Sequence, residues 1–240
     1  MIPLRDDNPT TIRPLVTVGL IVACILIFLW QSSLGVGQGA AVYALGVIPA
    51  VLFGQAQLAP ELGWVTPVLT PMTSMFLQGG IFHLLGNMLY LWIFGNNIED
   101  AMGHGRFVVF YLLCGIAAVF AQALPDTSSV IPMIGASGAI GGVLGAYLIN
   151  YPNARVLVLI PFGFFSQLIK IRALYVLGFW FILQFINSFL SSSSGGGVAY
   201  AAHIGGFITG LVLILFFNRK TKKKTYKRKV KKINKGPWEQ

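Results

Sequence analysis

Two residue types that do chemistry as a pair, a serine and a histidine, stand at Ser137 and His203 in a chain otherwise poor in polar groups. A serine hydroxyl is a poor nucleophile until a base takes its proton, and an imidazole with an ordinary pKa of about 6.5 is largely neutral at pH 7 and can do so. Attack on an acyl carbon leaves an oxyanion that needs donors aimed at it. His83 and Asn87 are spaced i, i+4, which puts them on one face of a helix, and they are the candidate side-chain donors. The backbone N–H of Ser137, at the head of its own helix, is a third.

The elements that must position these groups are apolar. Gly135-Ala136-Ser137-Gly138 opens a run that continues to Asn150; read as a helix it is roughly 21 Å long. A bilayer's hydrocarbon is about 30 Å thick, so a helix reaching one face at Asn150 leaves Ser137 beneath the other. Ser137, Gly141 and Gly145 form one stripe of this helix, with Gly138 and Gly142 beside it. His203 opens another apolar run in which Gly206 and Gly210, three and seven residues on, share its face. Glycine-lined faces let helix backbones approach closely, as a Ser–His hydrogen bond between membrane helices requires. Small residues, serine included, also fill space between membrane helices. The conjunction of four polar groups at one depth favours chemistry.

Composition sets the class. The chain has 240 residues, 55% of them apolar and only 10% charged, with positive mean hydropathy, which is too apolar for an ordinary soluble domain. Cys24 and Cys114 fall within apolar runs and read as small buried hydrophobes. The expected organisation is an N-terminal segment over 1–13, six spans over 14–218, and a polybasic tail over 219–240. The spans are predicted at Pro14–Trp30, Ile81–Ile98, Phe107–Leu124, Ser137–Asn150, Ile171–Leu190 and Ala201–Phe217. Met1–Arg13 is polar, without periodicity, and the first span lacks the cleavage pattern of a removable signal. Residues 35–80, interrupted by Pro49, Pro60, Pro67 and Pro71, are expected as loop structure in or on the outer leaflet. Val156–Ile160 and the following Pro161-Phe162-Gly163 are too short and broken to cross, so an interfacial segment is predicted there. Ser191–Gly197 reads as a flexible loop.

Charge orients the bundle. Eleven of the 17 Lys and Arg lie between Arg219 and Lys235. With six spans, these and the other six, Arg5, Arg13, Arg106, Arg155, Lys170 and Arg172, all fall on one side. The positive-inside rule then makes both termini cytoplasmic, and Ser137, His83, Asn87 and His203 lie toward the outer face. Glu61 and Asp126 are the acidic residues on that side, and neither is near His203 in sequence, so the pattern favours a Ser–His dyad over a triad. The basic tail is a topology anchor that attracts anionic lipid, worth about 1 kcal/mol per nearby Lys or Arg. It lacks the aromatic-interleaved fold of a nucleic-acid binder.

With these residues in view, the chain resembles the rhomboid family of intramembrane serine proteases. Gly135-x-Ser137-Gly138 resembles the family's nucleophile motif and His83-x-x-x-Asn87 its oxyanion-side motif. Ala202-His203-x-x-Gly206-x-x-x-Gly210 resembles its base motif, and Glu99-x-x-x-Gly103 the end of its second helix. The resemblance implies an all-α, six-helix membrane bundle with a short fourth helix. It implies cleavage of other proteins' transmembrane segments near the outer face, with no metal or cofactor, in an inner or plasma membrane. Two positions depart from the family's habits: Trp64 is followed by Val65 where many rhomboids carry arginine, and Gly141 stands where some carry a tyrosine packed on the histidine. The alternatives are a non-catalytic rhomboid-like protein that binds membrane segments, and a small transporter using the glycine-lined interface. Transporters place ionisable groups near the midplane, whereas these cluster toward one face.

Overall fold

The computed structural model describes residues 1–162, 165–190 and 197–218. The basic tail, residues 163–164 and most of the predicted Ser/Gly loop lie outside the described residues. The chain is mostly helical: α1 is Leu15–Ser33, α2 Ile81–Met102, α3 His104–Ala123, α4 Ser137–Asn150, α5 Ala173–Leu190 and α6 Tyr200–Phe217. Among the described residues, α1, α3, α5 and α6 are long and apolar enough to cross a membrane. α2 follows the short helical turns of Pro60–Phe76 at a bend of 80°, and α4 is a shorter apolar helix.

Burial explains the centre of the bundle. α4 is apolar on every side, so it must be enclosed, and every residue from Gly138 to Tyr147 is buried. α3 and α6 enclose it through glycines. A Cβ on Gly206 would sit 1.9 Å from the carbonyl oxygen of Gly138, and one on Gly210 the same distance from that of Gly142. A Cβ on Gly145 would meet the Phe207 carbonyl oxygen at 2.2 Å, and one on Gly205 the Ala121 side chain. At the far end of α4, Asn150 and Asn218 exchange amide hydrogen bonds at 2.9 Å, tying it to the end of α6.

α2 contains a π-helical turn at Leu91–Gly95, where Gly95 lets Thr17 of α1 come close. This helix runs past Ile98, so that Glu99 and Asp100 lie in its last turn, and Gly103 ends it with φ +82°, as the Glu99-x-x-x-Gly103 motif implies. That conformation suits a residue without a Cβ.

A three-stranded antiparallel sheet is the departure from an all-α reading. β1 is Ile2–Asp6, β2 Arg155–Phe162 and β3 Phe165–Arg172, in the order β1-β2-β3. The N-terminal segment, expected to be aperiodic, is therefore an edge strand; Pro3 is tolerated there because an edge leaves one side unpaired. The apolar segment around Val156 does not cross the bundle but forms one arm of a hairpin, with Val156 and Val158 fully buried. Asp6 accepts a hydrogen bond from the Tyr147 hydroxyl, which fastens the sheet beneath α4.

Candidate functional site

The head of α4 is held from several directions. The segment before it bridges to the long loop after α1: Val47 N–H donates to the Met133 carbonyl at 3.0 Å, and Met133 N–H returns to Val47 at 2.7 Å. Gly135 N–H donates to the Ser74 carbonyl at 2.9 Å. Gly135 itself has φ +126°, and a Cβ there would press on the His83 ring, 2.8 Å from Cε1. Glycine is required on both counts. The loop that carries these contacts rests on α1 through Trp64, whose ring meets Trp30 edge-on at 6.3 Å and whose Nε1 donates to the Glu61 carbonyl.

Ser137 is the first residue of α4 and half-buried. Its Oγ lies 3.6 Å, and the His83 Nε2 3.2 Å, from the point a Gly135 Cβ would occupy, so hydroxyl and imidazole both lie beside Gly135. The Nδ1 of His83 accepts from Gly79 N–H at 3.1 Å, which leaves the ring proton on Nε2, on the side of the ring nearer Gly135. Asn87, one turn further along α2, is buried and donates through Nδ2 to Gln78 Oε1 at 2.8 Å. Gln78 is locked in turn: its backbone N–H donates to Gln31 Oε1, and its carbonyl accepts from Gln31 Nε2.

His203 is buried near the start of α6. One residue before it, Ala202 N–H donates to Gln122 Oε1 on α3 at 3.2 Å. The His203 carbonyl lies against Gly141, where a Cβ would approach it to 2.9 Å, so this part of α6 abuts α4 one turn below Ser137. Trp180 of α5 packs on the imidazole with ring centroids 5.9 Å apart, and Gln184 Oε1 of α5 lies 2.8 Å from Nδ1. Among the described residues, Ser137 Oγ and the Nε2 of His203 make no hydrogen bond, to each other or elsewhere. Catalytic hydrogen bonds in unliganded sites are often long and tighten only around substrate.

The structure thus brings all four polar residues to one end of the bundle, around the head of α4. Three amides that hold them, Gln31, Gln78 and Gln184, were not picked out from the sequence. Their signal was present: each is an uncharged hydrogen-bonding residue within or beside an apolar run, where an unpartnered amide is costly.

A mostly helical chain with this much spanning-length apolar helix is a multi-pass membrane protein. Residues 65–220 match the profile described as Rhomboid domain, and the chain belongs to the rhomboid family. It is 27% identical over 202 residues to Rhomboid protein 1, mitochondrial, of Saccharomyces cerevisiae, covering 80% of this chain and 54% of that one. It is 36% identical over 139 residues to Rhomboid protease GluP of Bacillus subtilis, covering 58% and 24%. It is 30% identical over 149 residues to Presenilin-associated rhomboid-like protein A, mitochondrial, of Danio rerio, covering 61% and 37%. The chain spans about half or less of the length of these relatives.

Proposed function

We propose that this chain is an intramembrane serine endopeptidase that cuts transmembrane segments of other membrane proteins by a Ser137–His203 dyad. The observation that carries the reading is that the Ser137 hydroxyl and the His83 Nε2–H both lie beside Gly135 at the head of a buried helix, with His203 on the neighbouring helix. Family membership and the likeness to a relative named as a protease support it.

In the proposed reaction Ser137 Oγ attacks the scissile carbonyl carbon while His203 Nε2 takes its proton. The carbonyl π electrons move onto oxygen. His83 Nε2–H, the second amide hydrogen of Asn87 and the Ser137 N–H stabilise that oxyanion. Collapse breaks the C–N bond, and the imidazolium protonates the departing amine. Water then repeats the sequence on the acyl-enzyme: His203 takes its proton, and Ser137 leaves with that proton restored. These steps use side-chain and backbone groups of this chain and one water.

The proposed setting is a six-helix domain over 14–218, counting α2 and α4 as the second and fourth spans. Both termini face the cytoplasm of an inner or plasma membrane, the site lies toward the opposite face, and the basic tail rests on anionic lipid. Partners are single-span or multi-span membrane substrates. The open Ser137–His203 pair is the observation that favours a second reading, a rhomboid-like protein that binds membrane segments without cutting them.

One experiment separates the two. Protein purified in detergent is mixed with a single-span test substrate, and cleavage is followed by gel and mass spectrometry. Cutting within the span by the parent and none by Ser137→Ala supports the protease; binding without cutting by the parent supports the rival.

A further inference from the structure

A neutral imidazole carries one proton on one of two nitrogens, and only the nitrogen without it can accept from a serine. For His203 to act as the proposed base, its proton must reside on Nδ1. In a Ser-His-Asp triad a buried carboxylate enforces this by accepting from Nδ1–H, and its loss as a correctly placed acceptor leaves the wrong tautomer.

No carboxylate takes that position among the described residues. The ring of His203 is instead bounded by Trp180 at 5.9 Å, by Tyr200 edge-on at 6.4 Å on its own helix, and by Gln184. His83 on α2 is the other titratable group near enough to act on it electrostatically. The Oε1 of Gln184 lies 2.8 Å from Nδ1. An amide oxygen accepts and never donates, so this contact requires the proton on Nδ1 and leaves the Nε2 lone pair free. Trp180 and Gln184 are spaced i, i+4 on α5 and so reach His203 from one helix face. The ring of Trp180 lies tilted by 31° over the imidazole, on the histidine that Gly141 leaves without an aromatic neighbour from α4.

We propose that Gln184 is the positioning residue of this site: its side-chain oxygen fixes the tautomer and rotation of His203, in the place a carboxylate holds in a triad. The inference rests on the reading of His203 as the base. A neutral acceptor fixes the tautomer without adding the charge that would make the imidazole more basic. This distinguishes a glutamine from an acid at the same place.

The test uses the full chain with 15N-labelled histidine in detergent. There are three histidines in the sequence, and the His203 resonances are identified as those absent from His203→Gln. The parent is expected to show a single neutral tautomer, protonated at Nδ1. Gln184→Leu is expected to show a mixture of both tautomers, with kcat lower by roughly tenfold, KM little changed and an unchanged melting temperature. Gln184→Glu, which restores an acceptor, is expected to keep the Nδ1–H tautomer and move the acidic limb of the kcat–pH profile upward by about one unit. An Nε2–H tautomer in the parent, or an unaltered Nδ1–H tautomer in Gln184→Leu, overturns the proposal. The tautomer is read on resting protein, so an incorrect role for Gln184 registers separately from an incorrect dyad, which appears as loss of Ser137-dependent reactivity in the parent.

Discussion

α2 carries a polar cluster at each end, and the two are built in opposite ways. At the Glu99 end both carboxylate oxygens are used. The fully buried Glu99 carboxylate accepts from Val16 N–H at 2.9 Å, from Thr17 N–H at 2.8 Å and from the Thr17 hydroxyl at 2.7 Å, and it pairs with His104 Nδ1. It thereby satisfies the orphan donors at the start of α1 and sits where a helix dipole favours an anion. Asp100 does the same for Thr11. At the Ser137 end Gln31, Gln78 and Gln184 hold the surrounding groups, Gln78 Nε2 is itself buried without a hydrogen-bond partner, and among the described residues the Ser137 hydroxyl and the His203 Nε2 are unengaged. In a low-dielectric interior a fully satisfied network rigidifies. The carboxylate of Glu99 sits in such a network, whereas the Ser137 end leaves polar groups unspent. One end is an anchor, and the other carries the groups that the proposed reaction would use.

This contrast makes ordered predictions. The largest effect belongs to Ser137→Ala: cleavage falls on the order of 10⁴-fold or more, with the melting temperature unchanged, as read by substrate cleavage beside thermal unfolding in detergent. Glu99→Ala should show the reverse pattern, a stability loss of about 3 kcal/mol, while the protein that remains folded keeps its KM. Equal loss of stability in both variants would erase the distinction between the two ends. His83→Ala should lower kcat by about 10²-fold with a small change in melting temperature; a change in KM alone would move His83 from oxyanion donor to substrate contact.

The smallest effect lies in the sheet. Burial holds the Asp6 carboxyl above its ordinary range, despite the opposing hydrogen bond from Tyr147. Charged Asp6 therefore costs stability near neutral pH, and protonation relieves that cost as pH falls through the raised value. Asp6→Asn keeps an acceptor for Tyr147 without the charge. It should melt slightly above the parent at pH 7, and the difference should vanish as the solution is acidified.

Legibility in the sequence followed how much of each element's environment its own residues encode. α4 starts and ends where the sequence places it, because Gly135 and the polar Asn150 with Pro152 punctuate an unbroken apolar run. The other long helices shift by a few residues at their ends, as helix termini commonly do. The sheet was hidden: Leu157 and Leu159 are as apolar as the buried Val156 and Val158, so no alternation marks a strand, and Pro161-Phe162-Gly163 reads as a break. β1 was invisible because a strand takes its reason from its partner, and that partner begins at Arg155, far along the chain. Within the candidate site Ser137, His203, His83 and Asn87 stood out by type. Gln184 did not, because a search for the histidine's partner among acids passes over an amide.

The central claim is that Ser137 is a nucleophile activated by His203, and labelling with a serine-reactive fluorophosphonate tests it most directly. The account predicts one covalent adduct on the parent protein, mapped to Ser137 by mass spectrometry, no adduct on Ser137→Ala, and a strongly slowed one on His203→Ala. A folded parent protein that remains unlabelled at Ser137, or one whose labelling is indifferent to His203, would contradict it.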